Sequence, residues 1–143
     1  MPAKKIQIAV VEGNDFFNNL ITRFLIDLEG KLDVTRYFPV TMCVDSFRDA
    51  DAFRQQIDQT YDIVMYDSSL SNEEEMDHIV RSVKRNSLDT RLVVLIAGDL
   101  LERSLDVITR GASACIYKDA SVLERTGWYV QNVLNDKLNR EFF

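Results

Sequence analysis

The sequence predicts a doubly wound α/β fold, a five-stranded parallel sheet with helices on both faces. Short apolar runs alternate with helical apolar stripes along the whole chain. Strands separated by helices pair in parallel through right-handed crossovers. The runs are also continuously apolar rather than alternating, as strands buried on both sides must be.

Ile6 to Val11 (IQIAVV) reads as the first strand. Phe17, Leu20, Ile21, Phe24, Leu25 and Leu28 follow at the spacing of a buried helix stripe, with Asn14 or Asp15 as its cap. Val40 to Val44 is the second strand, and Phe47, Phe53 and Ile57 mark a shorter helix. Ile63 to Tyr66 is the third strand. Ser71 with Glu74 forms a capping box opening a helix whose inner face is Met76, Ile79, Val80 and Val83. Leu92 to Ala97 is the fourth strand and the most apolar, hence the deepest. A short helix around Ser104 to Arg110 stops at Gly111. Ala114 to Tyr117 is the fifth strand. Ser121 with Glu124 makes a second capping box before a last helix lined by Val122, Leu123, Tyr129, Val130, Val133, Leu134 and Leu138. Gly127 costs that helix about 1 kcal/mol of propensity and marks a place for it to bend or fray. Glu29 to Pro39 has no clear pattern. With no repeat or linker, the expectation is one domain over residues 1–143, with a core of residues 5–134 and the last helix running to the end.

Composition removes other classes. The 143 residues carry a net charge of −6, against a phosphate-backbone partner that needs a concentrated basic face. Arg81, Lys84 and Arg85 alternate with Ile79, Val80 and Val83, as the wet side of a helix does. The single histidine, His78, excludes a histidine-rich metal site and reads as a surface residue. Apolar runs reach only about six residues, too short for a membrane span. The N-terminal stretch lacks the long apolar segment of a signal peptide. The expected location is cytoplasmic, with Cys43 and Cys115 as reduced, small core residues.

In open parallel sheets ligands gather outside the carboxyl ends of the strands. The residues falling there are Glu12, Asp67, Ile96 to Gly98, and Lys118. Two acids can hold a hard divalent cation through oxygen. A lysine opposite them neutralises a phosphoryl group or pairs with a carboxylate. A flavin or nucleotide enzyme on this architecture would need a Gly- or Ser-rich phosphate loop after the first strand. The loop here is EGND, whose acids repel phosphate.

Four blocks in order, VVEGNDFF, YDIVMYDSS, LVVLIAGD and GASACIYKDAS, resemble the signature segments of two-component response-regulator receiver domains, the CheY-like family. The resemblance spans Lys5 to Leu134. Its last block is most similar to receivers of DNA-binding regulators whose helix-turn-helix output domain would lie outside this chain. It implies the flavodoxin-like strand order 2-1-3-4-5, which puts Cys43 and Cys115 on opposite edges, beyond disulfide reach. It also implies that Asp67 is the phospho-acceptor, attacking the phosphoryl group of a donor phosphohistidine. Lys118 falls at the lysine that contacts the phosphoryl oxygens. Mg²⁺ would be held by Glu12, Asp67 and the backbone carbonyl of Ser69. Three positions depart from the pattern. Gly13 replaces the second acid, Ile96 the hydroxyl residue after strand four, and Cys115 the aromatic switch. Mg²⁺ binding is therefore expected to be weak or lost, unless Asn14 or Asp15 supplies a substitute oxygen.

The function so implied is a receiver domain in phosphorelay signalling, phosphorylated on Asp67 and signalling through helix four, strand five and helix five. The alternative is a phosphorylation-independent pseudo-receiver, a protein–protein interaction module. Neither is an enzyme beyond self-catalysed phosphoryl transfer. The implied partners are a histidine kinase or phosphotransfer protein, a downstream protein or output domain, and a second copy in a homodimer; no nucleic acid or membrane is expected. Leu100, Leu101 and Tyr117 are the candidate contact residues.

Overall fold

The computed structural model describes residues 4–32, 39–56, 59–98 and 101–142. In chain order the elements are β1 (Lys4–Val11), α1 (Asp15–Asp27), β2 (Val40–Phe47), α2 (Ala50–Arg54), β3 (Ile63–Asp67), α3 (Glu73–Asn86), β4 (Arg91–Ile96), α4 (Leu101–Thr109), β5 (Ala114–Tyr117) and α5 (Val122–Phe142). All strand pairs are parallel, in the order β2-β1-β3-β4-β5. This is the predicted architecture and strand order.

The pleat divides the strands' apolar residues between two cores. Ile6, Ile8, Val10, Ile63, Met65, Val93, Leu95 and Ile116 pack against Ile21 and Leu25 of α1 and Val130, Val133, Leu134 and Leu138 of α5. Ala9, Val11, Val64, Tyr66, Leu92, Val94 and Ile96 pack on the other side against Phe53, Met76, Ile79, Val80, Val83 and Val107, from α2, α3 and α4. Burial on both faces explains why these strands show no polar alternation.

Three local readings change. The cap of α3 is Asn72, one residue later than predicted, with Glu75 closing the box. The displaced Ser71 instead bonds its hydroxyl to that of buried Tyr66, at 2.7 Å, so a core tyrosine claims the residue nominated as the cap. Strand β2 extends through Phe47, leaving α2 five residues long; Ile57 lies outside the described residues. Gly127 does not interrupt α5. A Cβ there would stand 3.1 Å from the Phe24 ring, so the glycine admits a side chain of α1. Helix α5 starts at Val122, directly after Ser121. Gly111, at φ +118°, ends the turn after α4 as expected. In the unassigned stretch, the Glu29 carboxylate accepts the Met42 N–H at 3.0 Å, while residues 33–38 lie outside the described residues. Cys43 and Cys115 are free thiols on the two edge strands.

Helices α3 and α4 are clipped together by Arg110, whose guanidinium reaches Asp77 at 2.7 Å, Asp106 at 3.0 Å and Glu73 at 3.4 Å. Asp77 and Asp106 push the guanidinium pKa further up. A partly exposed cluster of this kind is screened by salt. Arg110→Met should lower the melting temperature at low ionic strength and lose most of that effect at high salt. Equal losses at both would show that Arg110 acts by packing.

Candidate functional site

The register brings the strand ends to one level. Val11 pairs with Phe47 and Tyr66, Asp67 with Leu95, and Ile96 with Tyr117. Glu12 and Asp67 therefore emerge side by side. Lys118 follows β5, its N–H donating to the Ile96 carbonyl at 2.8 Å. Strand β5 lies two strand spacings, roughly 10 Å, from β3, so a long side chain from Lys118 and the reach of Asp67 together close the gap.

The Lys118 ammonium lies 3.0 Å from Glu12 Oε1 and 3.2 Å from Asp67 Oδ1. It also sits 5.4 Å from the centre of the Phe17 ring, a cation–π distance. All three side chains are sealed, at 6%, 0% and 2% exposed for Lys118, Glu12 and Asp67. Asp67 Oδ1 accepts the Ser69 N–H at 3.0 Å and the Ser69 hydroxyl at 2.9 Å, and Oδ2 accepts the Gly13 N–H at 3.3 Å. Glu12 Oε2 accepts the Asn14 N–H at 2.8 Å.

Burial, with Asp67 facing it, raises the Glu12 carboxyl above its ordinary range. Burial also pulls Asp67 upward, but hydrogen bonds from Glu12 and Ser69 and the charge of Lys118 outweigh it and hold Asp67 low. Of the two acids Glu12 is thus the more readily protonated, and Asp67 keeps its charge beside the ammonium.

The structure brings Glu12, Asp67, Ser69, Gly13 and Lys118 together as predicted, and it places Ile96 buried at the end of β4 and Cys115 half-buried on β5. Cys115 Sγ points at the Ser104 carbonyl, 3.6 Å away, and burial pushes its thiol pKa up. The substitute ligands do not materialise. Asn14 caps α1 by accepting the Phe17 N–H, and Asp15 pairs with Arg48 at 2.7 Å.

The Mg²⁺ that the resemblance implies needs near-octahedral oxygen donors, and the residues present do not fit it. Every Asp67 oxygen already faces a protein donor, and an ammonium stands between the carboxylates. A Cβ at Gly13 would lie 3.8 Å from Asp67 Oδ2 but 2.9 Å from Leu70 Cδ2, so a leucine methyl covers the place of the missing acid. Among the described residues no three His, Cys, Asp or Glu side chains cluster to hold a metal.

Two supporting residues were missed. Buried Asn18 donates its amide to the Glu12 carbonyl at 3.0 Å and the Phe47 carbonyl at 2.9 Å, tying the ends of β1 and β2 to α1. Its signal was a polar residue inside the buried stripe of that helix. Arg103 on α4 donates to the Ser68 carbonyl at 3.2 Å, beside Asp67; no pattern in the sequence pointed to it.

No family model matches the chain, and no curated protein matches it in sequence. Solved structures do. An orphan response regulator of H. pylori is 16% identical over 93% of this chain and 99% of its own, with a TM-score of 0.70. The BeF3-activated receiver domain of DrrB is 19% identical over 92% and 98%, with a TM-score of 0.71. An atypical orphan response regulator described as having a phosphorylation-independent regulatory mechanism is 15% identical over 91% and 96%, at 0.69. Both the strand order and these likenesses lead to one identification: the chain has the receiver-domain fold of response regulators.

Proposed function

We propose that the chain is a signalling receiver module that works by protein–protein contact, independently of phosphorylation at Asp67. The carrying observation is the sealed bridge of Lys118 to Glu12 and Asp67. In-line phosphoryl transfer needs an accessible nucleophile and neutralised charge on the incoming group. Here the nucleophile is 2% exposed and its oxygens are engaged. The position that would offer a hydroxyl is the apolar Ile96, and the donor set does not fit a divalent cation. The phosphorylation-independent regulator among the structural relatives supports the same reading.

The contact surface is the α4-β5-α5 face. Leu101, Leu105 and Ile108 form an exposed apolar stripe on α4, and Trp128 is 70% exposed on α5. Exposed apolar groups gathered this way mark interaction sites. Of the residues nominated from sequence, Leu101 lies on this face. Tyr117 is half-buried and bonds its hydroxyl to that of Ser104 at 2.7 Å, and Leu100 lies outside the described residues. A second copy, an output domain or a downstream regulator is the class of partner such a face fits, and the cytoplasm is the compartment. Among the described residues no helix is long and apolar enough to cross a membrane.

A second reading, phosphorylation of Asp67 by a histidine kinase or phosphotransfer protein, is favoured by the retained aspartate–lysine pair at 3.2 Å. Intact mass after incubation with acetyl phosphate and Mg²⁺ separates the two, with Asp67→Asn as control. No adduct is expected on either protein. A single phosphoryl adduct on the wild type, absent from Asp67→Asn, would establish the second reading.

A further inference from the structure

The cluster at the strand ends holds a cation supplied by the chain itself. Glu12 is fully buried, and its Oε1 has no aligned hydrogen-bond donor among the described residues. A buried carboxylate oxygen without a donor is costly unless a cation faces it. The group facing it is the Lys118 ammonium at 3.0 Å, which reaches Asp67 Oδ1 at 3.2 Å in the same position. The Gly13 side is closed by Leu70, so no further oxygen donor enters from there.

We infer that Lys118 is the permanent cation of this site. Its ammonium supplies positive charge between the carboxylates where a divalent ion would otherwise sit, and the folded protein neither requires nor takes up Mg²⁺. Removing the amine converts the pocket into a cation site made of Glu12, Asp67 and the Ser69 carbonyl. The inference deepens the proposed function, since a site with its own fixed cation has no role for the metal of phosphoryl transfer.

Ligand binding to the folded state raises its melting temperature by mass action. Melting of the wild type, Lys118→Met and the double variant Lys118→Met/Glu12→Gln should therefore be compared in millimolar Mg²⁺ and in EDTA. The wild type is expected to melt identically in both. Lys118→Met should melt lower in EDTA and recover part of the loss with Mg²⁺, and the added Glu12→Gln change should remove that recovery. A saturable upward shift of the wild type with Mg²⁺, or a folded Lys118→Met that is blind to the ion, would overturn the inference.

Should Lys118→Met fail to fold, Mn²⁺ titration of the wild type gives the answer through amide line broadening. No selective broadening at Gly13 and Ser69 is expected, and broadening there would refute the assignment. The two proposals fail separately. An acetyl-phosphate adduct forming equally well in EDTA would end the phosphorylation-independent reading and leave the fixed-cation inference standing.

Discussion

Lys118→Met is expected to destabilise the folded protein by about 3–5 kcal/mol near pH 7, the range found when one partner is removed from a buried ion pair. That is a large fraction of the roughly 5–15 kcal/mol that holds a domain together. The size follows from burial. The exposed Arg48–Asp15 pair, at 44% and 87% exposed, has a shorter contact of 2.7 Å, yet pairs of that kind contribute about 0–1 kcal/mol. Solvent can take over the charge of Asp15 but cannot reach Glu12 or Asp67.

The pH dependence has a fixed sign. In the wild type the two acids oppose each other. Asp67, held low, contributes stability above the ordinary carboxylate range that is lost as pH falls through its folded value. Glu12, held high, costs stability at neutral pH and is relieved as pH falls through its raised value. The ammonium lowers both acids, so without it burial disfavours their charged forms more, and the variant regains stability on acidification. Urea unfolding at about pH 7 and about pH 5 should show a smaller penalty at the lower pH. An equal penalty at both would mean that Lys118 acts by filling space rather than through its charge.

The sheet was legible because periodicity and length alone mark buried parallel strands. The strand ends were legible for the same reason: once β1, β3 and β5 are placed, Glu12, Asp67 and Lys118 must converge. What the chain hid were decisions made between elements. Ser71 and Asn72 are equally good caps, and only the distant Tyr66 hydroxyl, which takes Ser71, decides between them. Gly127 looks like a weak point in a helix until Phe24 is packed against it. The closure of the site by Leu70 is likewise invisible, because a leucine three residues after a strand has no local reason to turn toward Gly13. The outward stripe of Leu101, Leu105 and Ile108 was readable at i, i+4 and i+7 spacing, but the same spacing describes a buried face. Only Val107, buried on the opposite side of α4, shows which way the helix is turned.

The second large effect is expected at Phe53. Helix α2 has five residues, far below the roughly 12–15 at which isolated helices become even marginal in water. Its cap, Asp49 accepting the Ala52 N–H at 2.8 Å, contributes about 1 kcal/mol and cannot hold it alone. Phe53 is the buried residue of that helix. Its ring lies 5.6 Å from Phe47, 6.3 Å from Tyr61 and 6.3 Å from Tyr66. Phe53→Ala should cost about 3–5 kcal/mol by lost burial and the cavity left behind, read as a lower urea midpoint, and α2 amides should lose protection in hydrogen exchange. Phe53→Leu, which keeps most of the apolar volume, should cost less than half as much. Tyr66 touches Phe53 and immediately precedes Asp67, so the change also tests how rigidly the site is held. Asp67 is fixed by Ser69, Gly13 and Lys118, none of which packs on Phe53. Its carboxyl titration should therefore be unchanged in folded Phe53→Ala. A shifted titration would mean that the ion cluster takes its geometry from the aromatic core beneath it, and that α2 and the site move as one unit.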